Sequence, residues 1–123
     1  MSPKKILVVD DEVDLVKTIS FSLEREGYTV LVSLNGEDAL NQARRESPDL
    51  ILLDIMLPKL DGYKVCRLLK FDERYKHIPI LMLTAKVQEK DKALGMETGA
   101  DEYITKPFDT DELMEKIKSY LSQ

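Results

Sequence analysis

Leu50-Ile51-Leu52-Leu53-Asp54 decides how the chain folds. Four large apolar residues stand in a row without polar alternation, which suits a strand covered on both faces rather than one with a wet side. The pattern recurs in Ile6-Leu7-Val8-Val9 and in Ile80-Leu81-Met82-Leu83. Two weaker runs, Thr29 to Leu34 and Glu102 to Thr105, bring the expected strands to five. Between them the apolar spacing turns helical: Val16, Ile19 and Leu23 share one face after the first run, and Leu113, Ile117 and Leu121 share one after the last. Gly27, Ser47-Pro48 and Gly99 are placed to end helices, because Gly accepts a left-handed conformation and Pro cannot continue a helix. Five strand-helix units predict an α/β fold, a doubly wound five-stranded parallel sheet with five helices and right-handed crossovers.

The 123 residues suffice for one core, and no linker, repeat or low-complexity stretch divides them. With 43% hydrophobic and 33% charged residues the chain reads as globular rather than disordered. Eighteen Lys and Arg against 23 Asp and Glu give a net charge of -5, which repels nucleic-acid phosphates and anionic lipid. Direct nucleic-acid binding is therefore not expected. The single cysteine, Cys66, cannot form an internal disulfide and reads as core filler among Val65, Leu68 and Leu69. No apolar run approaches the ~20 residues of a membrane span, and the start lacks a signal-peptide pattern, so a cytoplasmic location is expected.

Open parallel sheets carry their sites beyond the carboxyl ends of the strands. Asp10-Asp11-Glu12 follows the first run, Asp54 ends the third, Thr84 follows the fourth, and Lys106-Pro107-Phe108 follows the fifth. If the first and third strands are neighbours, Asp10, Asp11 and Asp54 crowd together. Two carboxylates about 4 Å apart repel by about 4 kcal/mol at an effective dielectric of 20, so such a group calls for a cation or a proton. An all-oxygen set without His or Cys suits Mg²⁺ and disfavours zinc. Lys106 would then face phosphoryl oxygens, Thr84 would donate a hydrogen bond, and Asp54 would be free to act as a nucleophile.

Each of these residues also has a plainer reading. The acidic triplet can simply open a helix, Asp61-Gly62 can form a turn, and Tyr103 can be strand packing. His77 precedes the fourth strand and so belongs to the end away from the acids. Lys86, Lys90 and Lys92 read as a solvated helix face, with a docking surface as the second reading, and Gly95 as a point of pliability or a packing accident.

Together, Asp10-Asp11, Leu53-Asp54-Ile55-Met56-Leu57-Pro58 with Asp61-Gly62, Thr84-Ala85, Gly99-Ala100-Asp101 and Lys106-Pro107-Phe108 make the chain resemble a receiver domain of bacterial two-component response regulators. The resemblance spans nearly the whole chain, so residues 1–123 read as one receiver domain, either a complete regulator or part of a longer protein. It implies the flavodoxin-like strand order 2-1-3-4-5 and a cis Lys106-Pro107 bond that would aim Lys106 into the rim. Asp54 matches the phospho-acceptor, Asp10 and Asp11 the Mg²⁺ acids, and Met56 the residue whose carbonyl completes the metal site. Thr84 and Tyr103 match a switch pair acting on the face of the fourth helix, fifth strand and fifth helix. The implied partners are a sensor histidine kinase or histidine phosphotransfer protein, an output domain or downstream protein, and a phosphorylation-promoted second copy. The implied activity is a signalling switch that catalyses only its own phosphorylation and dephosphorylation.

Three other functions fit parts of the pattern. A haloacid-dehalogenase-like phosphatase shares the aspartyl nucleophile and Mg²⁺, but needs an acid where this chain has Met56. A flavin carrier needs a Gly- and hydroxyl-rich first loop where this chain has Asp10-Asp11-Glu12-Val13-Asp14. An interaction module independent of phosphorylation would leave the rim residues without a role.

Overall fold

The computed structural model describes residues 3–85 and 99–122. Five strands, β1 (Lys5–Val9), β2 (Thr29–Ser33), β3 (Leu50–Asp54), β4 (Ile80–Thr84) and β5 (Glu102–Thr105), form one sheet in the order β2-β1-β3-β4-β5. Every neighbouring pair is parallel. The helices are α1 (Val13–Arg25), α2 (Gly36–Glu46), α3 (Gly62–Lys70) and α4 (Thr110–Leu121). Four helices among the described residues stand against the five expected. The expected fourth, with Lys86, Lys90, Lys92 and Gly95, lies outside those residues.

Because strand side chains alternate in direction, each apolar run feeds two cores. Leu7, Val9, Ile51, Leu53, Ile80 and Met82 belong to one cluster with residues of α2 and α3. Ile6, Val8, Leu50, Leu52, Leu81 and Leu83 belong to the other, with Val16, Ile19 and Leu23 of α1 and Leu113 and Ile117 of α4. Both faces of the central strands are thus covered, which is why their sequences lack alternation. Cys66 is fully buried in the first cluster.

The helix ends follow local chemistry. Asn35, Asp61 and Asp109 accept hydrogen bonds from the first-turn N–H groups of α2, α3 and α4. Asp61-Gly62, read as a turn, is therefore the start of α3. At the other ends, Gly27 has φ +93° just beyond α1, and Ser47 caps α2 in the left-handed conformation ahead of Pro48. Strand register then sets the rim: Val9 pairs with Leu53, so the residues that follow, Asp10 and Asp54, emerge side by side.

Candidate phosphoryl and metal site

Asp10 directly follows β1 and is fully buried, its N–H donating to the Ser33 carbonyl at 3.2 Å. One carboxylate oxygen accepts the Glu12 N–H at 2.9 Å and so shapes the entry to α1. The other accepts the Lys106 ammonium at 2.7 Å. Asp54 is the last residue of β3 and is also buried. Asp11 is exposed at the mouth. Oxygens from Asp10, Asp11 and Asp54 lie within 4.8 Å of one another. At that separation each pair of charges repels by ~3 kcal/mol at an effective dielectric of 20.

Among the described residues Lys106 supplies a counter-charge. Its ammonium lies 3.6 Å from Asp54 and 3.5 Å from Glu12 as well as against Asp10. Its backbone N–H donates to the Thr84 carbonyl, continuing the β4–β5 ladder past the strand ends and holding Lys106 beside Thr84. The Lys106-Pro107 bond is cis, as the resemblance implies. Thr84 is buried at the end of β4.

These surroundings set the acidity of the site. Burial, and next the charge of Asp10, raise the Asp54 carboxyl from its ordinary value near 3.8 to about 6, against the opposing pull of Lys106 and the Met56 N–H. Burial works to lower the Lys106 pKa, but the Asp10 hydrogen bond and the charges of Asp54, Asp10 and Glu12 outweigh it and raise the value. Among the described residues the site is thus an acidic cluster with one well-anchored cation.

The loop after β3 is braced on Asp54 itself. The Ile55 N–H donates to Leu83 O at 3.1 Å, and the Gly62 N–H returns to Ile55 O at 2.9 Å. A Cβ on Gly62 would collide with the Asp54 carbonyl oxygen, so only glycine lets α3 start this close to the end of β3. The Met56 side chain is 78% exposed at the mouth, with no proton to give.

The structure brings Asp10, Asp11, Asp54, Thr84 and Lys106 to one rim and puts Met56 on its loop. Tyr103 lies on β5, half-buried against the first core cluster. His77 is exposed at the opposite end of the sheet. Two residues near these groups carry no role in the sequence reading. Glu12 reaches Lys106, a contact its place in the acidic triplet hints at. Tyr63 meets Tyr103 hydroxyl to hydroxyl at 3.0 Å, a pairing across 40 positions for which the sequence offers no signal.

An all-oxygen, partly buried set with no His or Cys fits a hard divalent ion such as Mg²⁺. No described helix is long and apolar enough to cross a membrane.

Comparison with known proteins converges on one family. Residues 6–118 match the family model described as response regulator receiver domain. The chain is 53% identical over 118 residues to the alkaline phosphatase synthesis transcriptional regulatory protein PhoP of Bacillus subtilis (strain 168). That match covers 96% of this chain and 48% of the relative, so the chain spans about half the relative's length. Among solved structures, a putative response regulator from Chloroflexus aurantiacus J-10-fl superposes with TM-score 0.92 at 36% identity, covering 99% of this chain and 100% of that one. A BeF3-activated DrrB receiver domain superposes with TM-score 0.89 at 36% identity, covering 98% and 99%.

Proposed function

The chain belongs to the response regulator receiver domain family of two-component systems, and from that premise we propose that it is a phospho-accepting switch with Asp54 as the acceptor. The observation that carries this reading is the buried Asp54 carboxylate gathered with those of Asp10 and Asp11, with the Lys106 ammonium 3.6 Å away.

In the proposed reaction an Asp54 carboxylate oxygen attacks the phosphorus of a phosphohistidine on a sensor kinase or phosphotransfer protein. The new P–O bond forms as the P–N bond breaks, and the released imidazole nitrogen keeps the electron pair and takes up a proton as pH requires. Asp10, Asp11 and Asp54, with the Met56 backbone carbonyl, would hold Mg²⁺. When bound, the ion would offset negative charge shared between the acids and the phosphoryl group. Lys106 supplies a point charge for a phosphoryl oxygen, and the Thr84 hydroxyl a donor. Hydrolysis by water later resets Asp54, so the chain acts only on itself.

Charge arriving at this rim biases a surface that includes Thr84, Tyr103, β5 and α4. The fourth helix of the expected switch face lies outside the described residues. The proposed readers are an output domain, a downstream protein or a second copy of the chain. PhoP of B. subtilis is named for transcriptional regulation, and a transcriptional output is the corresponding proposal here. The net charge of -5 keeps nucleic acid off this domain itself, and the proposed setting is the cytoplasm, with residues 1–123 acting as one receiver unit.

The test is intact mass after incubation with Mg²⁺ and acetyl phosphate. A single phosphoryl adduct that disappears with a chelator and in Asp54→Ala is expected. No adduct with acetyl phosphate or with a phosphorylated kinase domain would defeat the proposal.

A further inference from the structure

Tyr63 and Tyr103 come from distant parts of the chain, one in the first turn of α3 and one in the middle of β5. Their hydroxyl oxygens are 3.0 Å apart. Both rings pack half-buried against the same core cluster, which contains Ile55, Val65 and Met82. Met82 is also the residue paired with Tyr103 across the β4–β5 register. A hydrogen bond in such a place meets less competition from water than one on an open surface.

The position of Tyr63 gives the bond its interest. Gly62, immediately before it, donates to Ile55 O, and its missing side chain lets α3 rest on the Asp54 backbone. Tyr63 therefore belongs to a segment seated on the backbone of the proposed acceptor, and its hydroxyl reaches the strand that carries the proposed switch residue. We infer that Tyr63 is a positioning residue for Tyr103: its hydroxyl holds the Tyr103 ring against the core and ties that ring to the helix start resting on Asp54. This inference deepens the switch reading and rests on it for the meaning of Tyr103. Nothing in it requires the Tyr63 hydroxyl to touch phosphoryl, donor or metal.

The physical consequence is a bias between ring orientations. One neutral hydrogen bond changes a two-state ratio by roughly two- to tenfold. Tyr63→Phe removes the hydroxyl while keeping the ring that packs on the cluster, so it separates positioning from packing.

The experiment places 3-fluorotyrosine at position 103 of the full chain and reads its fluorine resonance in the unphosphorylated protein with Mg²⁺. Tyr63→Phe is expected to move or split that resonance, with the second orientation gaining roughly two- to tenfold in population. The thermal midpoint should fall by no more than about 6 °C from the parent, the share of one hydrogen bond, because ring packing is kept. The BeF₃⁻ concentration that half-converts the resonance should shift by the same factor, as linkage requires. A Tyr103 resonance that superposes on the parent's, with an unchanged BeF₃⁻ midpoint, overturns the inference. Should Tyr63→Phe not fold, the reciprocal pair decides: 3-fluorotyrosine at position 63 must respond to Tyr103→Phe, and silence there overturns the inference equally. Failure of the switch reading looks different, since it leaves the parent without a phosphoryl adduct and its Tyr103 resonance blind to BeF₃⁻.

Discussion

The Lys106 ammonium lies 2.7 Å from Asp10 and 3.6 Å from Asp54, so one cation bridges the ends of the first and third strands from beyond the fifth. Asp10 is fully buried and Lys106 nearly so, which makes this more than a surface ion pair. Replacing Lys106 by Ala leaves Asp10 buried with its Glu12 N–H but without its cation. Without metal, Lys106→Ala should lose about 1–3 kcal/mol of stability, measured by urea unfolding in chelator. Phosphorylation by acetyl phosphate should slow at least about tenfold, as loss of a charge aimed at the transferring group implies. Unchanged stability and rate together would mean that the ammonium neither stabilises the acids nor assists transfer.

Asp54 makes the metal-free protein sensitive to pH in a definite direction. Its carboxyl titrates near 6 in the fold and near 3.8 when unperturbed, so between these values the folded state holds more proton than the unfolded one. The contribution is fully present below about pH 4, falls as pH rises through about 6, and stays lost above. Asp54→Asn removes this slope. In chelator the variant should gain on the parent by roughly 1–2 kcal/mol between pH 4.5 and 7.5 once solvent screening is allowed for. Parallel urea midpoints for the two proteins across that range would show that Asp54 titrates normally.

Asp11 separates metal binding from folding because it is exposed and belongs to the carboxylate group. Mg²⁺ at a hundred times its dissociation constant should stabilise the parent by about 2.7 kcal/mol. Asp11→Ala should fold normally in chelator yet need at least about tenfold more Mg²⁺ for the same rise in thermal midpoint. Equal Mg²⁺ titrations of parent and variant would remove Asp11 from the ligand set.

Much of this site is legible because the fold turns sequence order into position. Apolar runs buried on both faces announce themselves without alternation, and the polar residue after each run must appear at the carboxyl rim. That logic locates Asp10, Asp54, Thr84 and Lys106 before any coordinates are known. It does not reach contacts made by topology alone. Tyr63 and Tyr103 meet only because α3 packs beside the cluster that β5 also touches. Asp61-Gly62 was readable as a turn because turns and helix caps draw on the same residues, and only the bond from the Lys64 N–H to Asp61 decides between them.

Asp101, at the opposite end of the sheet, makes contacts of the same kind. One of its carboxylate oxygens accepts both the Lys70 ammonium and the Ile80 N–H at 2.8 Å. Lys70 also donates to the Lys76 and Ile78 carbonyls at 2.9 Å, so the pair pins the end of α3 and the turn after it to the start of β4. Asp101→Ala strips the Ile80 N–H of this acceptor and leaves Lys70 with carbonyls alone. It should destabilise the fold by about 1–2 kcal/mol. Asp101→Asn, which retains an acceptor oxygen but no charge, should recover about half of that loss. Because these groups lie far from Asp54, both variants should still take up phosphoryl from acetyl phosphate at the parent's rate below their melting range. Urea unfolding and the intact-mass time course check the two halves separately, and a rate lost along with stability would tie Asp101 to the rim that holds Asp54.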